Sequence, residues 1–139
     1  MYMKWTTKIE AALVFMLDAA LESTDATPVA LRDVSVRHGY SLKYLWQVAN
    51  PLKRAGLLRA RAGAGGGYIL ARDAAEITLR QILVAVEGDA AESGPVPSAA
   101  KGSRLRRLAD TIWAELGVIW LRELDQYRLA DLVQRVQIQ

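Results

Sequence analysis

Between Thr7 and Glu22 the apolar residues Ala11, Ala12, Phe15, Met16, Ala19 and Ala20 recur at spacings of three and four, the period of a helix face turned toward a core. The spacing predicts a helix over those positions, with Thr6 or Thr7 placed to cap its start. STDATPVA then breaks the pattern as a loop. Leu31 to His38 reads as a short second helix with Leu31, Val34 and Ser35 on one side, stopped by Gly39. Ser41 is a natural N-cap for a third helix carrying Leu42, Leu45, Val48 and Leu52. Two short helices joined by a tight glycine-containing turn make a helix-turn-helix candidate, a pattern shared by helical pairs with no nucleic-acid role.

Farther along, Leu57 and Leu58 on one side and Tyr68, Ile69 and Leu70 on the other flank RARAGAGGG, which predicts a hairpin with a glycine-rich, basic tip. Glycines at 63, 65, 66 and 67 permit positive φ and let backbone N–H groups approach another molecule. Tyr68 stands where a nucleotide-binding loop needs Lys before Ser or Thr, or a third glycine, so both phosphate-loop patterns fail. Thr78 opens a helix over Leu79 to Glu87 that Gly88 ends. Asp89 to Ser103, rich in Ala, Ser, Gly and Pro, reads as a flexible connection. Leu105, Leu108, Ile112, Leu116, Ile119 and Trp120 mark a long helix from Ser103 to Leu124, with Trp113 seven residues before Trp120. Its apolar stripe exceeds what one small domain covers and predicts pairing with a second copy, a core helix within the chain being the alternative. Tyr127 to Val136 reads as a shorter helix that returns onto the dimer or onto the first helix.

Composition narrows the chemistry. The 139 residues contain no cysteine and one histidine, His38, which removes disulfides, thiolate catalysis and all-cysteine iron–sulfur ligation. No nucleophile, base and orienting group stand together, so an enzyme is the weakest of the function classes. No run reaches the roughly 18 apolar residues of a membrane span, and MYMKWTTK lacks a signal peptide's apolar stretch. The cytoplasm is the expected compartment. Net charge is only +3, but from Arg32 to Arg61 seven basic residues face the single acid Asp33, whereas from Gln81 to Gln139 seven face eight. Positive charge is concentrated where a polyanion would be met.

The chain resembles the Rrf-type bacterial winged-helix regulators, which include an iron–sulfur cluster regulator, a nitric-oxide sensor and a cysteine-metabolism repressor. The resemblance is carried by MKWTTK (Met3 to Lys8), SLKYLWQ (Ser41 to Gln47), LKRAGLL (Leu52 to Leu58), GAGGGYILAR (Gly63 to Arg72), EITLRQILVAVEG (Glu76 to Gly88) and RLADLV (Arg128 to Val133). It implies a mainly α fold with a small β-hairpin wing: a winged helix-turn-helix over residues 1–88, a connection over 89–103, and a dimerisation helix with a return helix over 104–139. It further implies a homodimer whose recognition helices, Ser41 to Ala55, enter successive major grooves of a pseudo-palindromic operator while the wings reach the flanking minor grooves. Three departures stand out. The cysteine trio that ligates a cluster in the family is missing from Asp89 to Ser103, Trp46 replaces a frequent acid, and Ala62 replaces an arginine beside the wing glycine. No cofactor and no metal are expected, and base readout should differ from that of the iron–sulfur regulators. Pro51 predicts a kink in the recognition helix or an earlier end to it.

On this reading Ser41, Lys43, Tyr44 and Gln47 face base edges and phosphates of double-stranded DNA, Gln47 matching an adenine edge. Thr6, Thr7, Lys8, Arg59, Arg61, Gly65, Gly66 and Gly67 contact the backbone. His38 is structural or a phosphate contact. The dimer forms through Leu105, Leu108, Ile112, Trp113, Leu116, Ile119 and Trp120. The competing function is a dimeric protein-interaction module with the same fold and weak or no DNA binding, supported by Trp46 and Ala62. The residues leave three alternatives open, a small-molecule effector, a protein partner or no response to a signal at all, and four tryptophans, Trp5, Trp46, Trp113 and Trp120, are candidates to line an apolar pocket.

Overall fold

The computed structural model describes residues 7–88 and 103–138. Thr6 and nearly all of the connection expected over 89–103 therefore lie outside the described residues. Six α-helices and one two-stranded antiparallel sheet are present among those described, in the order α1 (Thr7–Glu22), α2 (Leu31–His38), α3 (Leu42–Arg54), β1 (Leu58–Arg61), β2 (Gly67–Leu70), α4 (Leu79–Glu87), α5 (Arg104–Leu124) and α6 (Leu129–Ile138), with a 3-10 turn at Ala74–Glu76.

The core forms around α1, which buries Ile9, Ala11, Ala12, Phe15, Met16 and Ala19. Its small residues let α3, α4 and α6 approach closely, and all three pack on it. Val34 of α2, Leu45, Val48, Ala49 and Leu52 of α3, and Leu79, Ile82, Leu83 and Val86 of α4 complete the interior. The local signals behind these helices act as the residue types require. Gly39 adopts φ 76° at the end of α2, a conformation other residues reach only with strain. Ser41 Oγ accepts the Tyr44 N–H at 3.1 Å, and Thr78 and Gln81 form a reciprocal capping box at the start of α4.

Helix α3 does not stop at Asn50. It runs through Pro51 to Arg54, and Ala55 N–H still reaches the Pro51 carbonyl at 3.0 Å. Proline removes one N–H from the helical ladder, but Val48, Ala49 and Leu52 are fully buried on either side of it, and that packing carries the helix across the gap.

The hairpin pairs Leu58 with Leu70, Arg59 with Ile69, Ala60 with Tyr68 and Arg61 with Gly67. Beyond what periodicity predicts, Val29 adds an isolated bridge to Tyr68, each N–H bonding the other's carbonyl at 2.8–2.9 Å. Tyr68 also meets Phe15 edge-on, ring centroids 5.5 Å apart, so the base of the hairpin is fixed to the loop before α2 and to α1.

Only the last part of α5 joins the interior: Gly117, Leu121 and Leu124 are its buried residues. A second bridge, Thr78 with Arg128, then closes the chain: Leu79 N–H bonds the Tyr127 carbonyl and Leu129 N–H the Ile77 carbonyl, both at 2.8 Å. Of the two destinations open to the return helix, α6 takes α1 of its own chain. Among the described residues no helix is long and apolar enough to cross a membrane.

Candidate nucleic-acid interface

Helix α3 divides into two faces. Leu45, Val48, Ala49 and Leu52 point inward, while Leu42, Lys43, Trp46, Gln47, Lys53 and Arg54 are exposed on the other side. No acid occurs anywhere in its 13 residues. Lys43 and Gln47, one turn apart, therefore present a cation and an amide side by side. Tyr44 is half-buried and packs against the core, its ring 6.0 Å from that of Tyr40. Burial, aided by the carboxylates of Glu10 and Glu87, pushes the Tyr44 hydroxyl above its ordinary pKa, so it stays a neutral O–H donor at physiological pH. Ser41 Oγ accepts the helix-cap bond, and its hydroxyl keeps one O–H donor.

In the hairpin Arg59, Ala60 and Arg61 are all exposed, and Arg59 and Arg61 share one face. Arg59 lies 3.9 Å from Asp25, but both side chains are open to water, where such a pair contributes little. At the tip the glycines meet demands of the fold. A Cβ on Gly66 would overlap the Arg61 carbonyl, and one on Gly67 would overlap the Val29 carbonyl. Gly66 N–H is moreover bonded to the Gly63 carbonyl at 3.0 Å, so of the three predicted backbone donors it is already engaged. Gly65 stands at φ 73° with open space around it. Thr7 is the first residue of α1 and exposed, with Lys8 half-buried beside it.

One functional cluster was not anticipated. Asp18 sits on the buried side of α1 with its side chain 2% exposed, and it receives Arg37 Nε at 2.9 Å, Arg37 Nη2 at 2.7 Å and His38 Nε2 at 2.5 Å. Burial raises the carboxyl's pKa, but the hydrogen bonds and charges of Arg37 and His38 outweigh it and hold Asp18 below the ordinary carboxylate value. The sequence held a clue: an acid within an apolar helical stripe has to find a partner. His38 is thereby a structural residue that ties α2 to α1.

On α5, Leu105, Leu108, Ile112, Trp113, Leu116 and Ile119 are exposed, Ile119 at 60%, whereas Trp120 is partly covered by the core. Trp5 lies outside the described residues; of the others, Trp46 and Trp113 lie open on different helices, and none lines the cavity described below.

A family profile described as iron-dependent transcriptional regulators, Rrf2, matches residues 5–135. The chain belongs to the Rrf2 family. It is 37% identical over 138 residues to the HTH-type transcriptional regulator IscR of Yersinia pseudotuberculosis, a match covering 98% of this chain and 82% of that one. The IscR of Serratia proteamaculans is 36% identical over the same span. Among solved structures, CymR, the global cysteine regulator of B. subtilis, superposes with a TM-score of 0.75 at 28% identity over 96% of this chain and 98% of that one. The IscR of T. potens gives 0.75 at 29% over 97% and 89%. The fold is thus that of a winged-helix Rrf2 transcriptional regulator.

The family description raises the question of iron. This Rrf2 chain has no cysteine at any position and a single histidine, and that histidine is bonded to Asp18. Among the described residues no group of three His, Cys, Asp or Glu side chains is placed to hold a metal ion. The donors present do not fit a thiolate-ligated cluster.

Proposed function

We propose that this regulator acts as a homodimer on a pseudo-palindromic operator in double-stranded DNA, without an iron–sulfur cluster. The observation that carries the reading is the outer face of α3: Lys43 and Gln47 exposed together, with no acid on the helix. Lys43, Tyr44 and Gln47 are assigned to base edges and phosphates, and Ser41 to the cap and a phosphate. Thr6, Thr7, Lys8, Arg59, Arg61 and the tip glycines Gly65 and Gly67 are assigned to the DNA backbone, Gly66 shaping the tip. The exposed stripe of α5, Leu105 to Ile119, is assigned to the second copy, with Trp120 at its edge. Residues 1–88 form the reading unit and 104–139 the pairing element. Work on DNA places the protein in the cytoplasm, and no catalytic role is assigned.

The test is a fluorescence-anisotropy titration of duplex DNA across a salt series, for the parent and for Lys43→Ala and Arg61→Ala. Each substitution is expected to weaken binding and to reduce the slope of log affinity against log salt by about one. Absence of binding at low salt sinks the reading.

A second reading rests on Val36, Leu42 and Trp46, exposed at 80%, 50% and 57% on the helix-turn-helix. Apolar groups this open suit a protein partner better than a phosphate backbone. A chain that fails to bind DNA yet keeps its dimer favours this partner-docking module.

A further inference from the structure

A cavity of about 620 Å³ opens where the end of α3, the exit of the hairpin, α4 and the foot of α5 meet. Its charged lining is Arg54, Arg72, Arg80 and Asp125, three guanidinium groups against one carboxylate. That carboxylate is engaged on both oxygens, by Arg80 Nη1 at 2.8 Å and by the Thr78 hydroxyl at 3.4 Å. Arg72 Nη2 donates to the Glu76 backbone carbonyl at 3.1 Å, an uncharged acceptor. Arg54 is exposed and forms no ion pair among the described residues. Apart from Gln81, whose side-chain oxygen is taken by the Thr78 N–H, the remaining wall, Leu57 and Val84 among it, is apolar.

A positive surplus of two inside a concave, partly apolar volume focuses field on an anion that enters it, and guanidinium forks suit phosphate and carboxylate oxygens. The volume lies within the range of about 300–1,000 Å³ that small-molecule sites occupy. The cavity is also removed from the reading end of α3: Arg54 lies 13 residues after Ser41, about 20 Å along the axis.

We propose that this cavity binds a small organic dianion, of which a phosphate monoester is the type, and that its occupancy alters DNA affinity. The charge takes Arg54 and Arg72, and the organic part takes the apolar wall. Because the lining joins α3 to α4 and to the end of α5, an occupant couples the reading helix to the pairing helix. The binding half stands on the cavity alone, and the regulatory half rests on the DNA-reading function proposed above.

The experiment is calorimetry of the full chain with phenyl phosphate, beside inorganic phosphate and phenol as its two halves. Saturable binding of one phenyl phosphate per chain is expected at or below about 1 mM, about tenfold tighter than inorganic phosphate. The double variant Arg54→Gln with Arg72→Gln is expected to lose about tenfold, and Arg61→Gln, in the hairpin, to bind like the parent. Circular dichroism confirms that the variants are folded. No saturation, or a double variant that binds like the parent, overturns the site, and equal affinity for inorganic phosphate overturns the organic class. In a parallel anisotropy titration, saturating phenyl phosphate should shift DNA affinity about fivefold in the parent and not in the double variant. An unshifted parent that still binds both phenyl phosphate and DNA overturns the regulatory half. Loss of DNA binding in every condition instead defeats the DNA-reading function and leaves the site standing on its calorimetry.

Discussion

Arg37 closes on Asp18 through two nitrogens, and with that fork the first helix of the helix-turn-helix is fixed to the buried side of α1. Helix α3 inherits its position from this contact, since α2 and α3 pack together and Ser35 Oγ also reaches the Tyr40 carbonyl across the turn at 2.6 Å.

Replacing Asp18 by Asn keeps the shape and removes the charge. Stability at neutral pH should fall by about 1–3 kcal/mol, read from urea unfolding. The pH dependence follows from the sign of the shift. Asp18's folded value is depressed below 3.8, so its stabilisation is complete above the unfolded value and is lost as pH falls through the folded one. The gap between parent and Asp18→Asn should therefore be constant near neutrality and close in acid. A gap that widens below pH 4 contradicts the assignment.

Ser41 allows capping and DNA contact to be separated. Ser41→Ala removes the cap and should cost about 1 kcal/mol. Ser41→Asp restores the cap and places a negative charge on the face proposed to meet DNA. Thermal melts should find the Asp variant as stable as the parent, while anisotropy finds its DNA binding weakened. If both variants bind DNA equally well, Ser41 has no phosphate role.

Two neighbouring glycines should respond differently. Gly67→Ala drives a methyl group into the Val29 carbonyl, which forces the hairpin off its bridge and should cost about 1–3 kcal/mol. Gly65→Ala meets no atom but sits at φ 73°, so the cost is the left-handed backbone alone, about 1 kcal/mol. Denaturation midpoints rank them, and a reversed order argues against the Val29 contact as the cause.

Ile112→Glu with Ile119→Glu charges a surface already exposed in the single chain. Circular dichroism should find the fold unchanged, while sedimentation finds monomers where the parent sediments as a dimer. DNA affinity should fall with the loss of the second reading head. A parent that sediments as a monomer removes the dimer proposal outright.

The helices were legible because each carries its own signal: Gly39 and Ser41 bracket the turn, Thr78 and Ser103 cap their helices, and the periodicity of α1, α4 and α5 fixes their faces. Pairings between distant residues were not. Val29 with Tyr68 and Thr78 with Arg128 are backbone contacts that leave no side-chain pattern behind. The course of α3 through Pro51 also depends on packing that a local rule cannot weigh. At the candidate interface the polar positions of α3 were readable from helical period, but the engagement of Gly66 by Gly63 and of Asp18 by α2 needed the folded chain.

The bridge between Thr78 and Arg128 has an evolutionary consequence. The start of α4 and the chain just after α5 are joined by backbone contacts that owe nothing to the sequence between them. Between two points fixed in this way, doubling the length of a connecting loop adds only about 0.6 kcal/mol of closure entropy. The stretch of sequence between those fixed points can thus change in length and chemistry while the bridged scaffold stays the same. One architecture can serve regulators that answer to different signals.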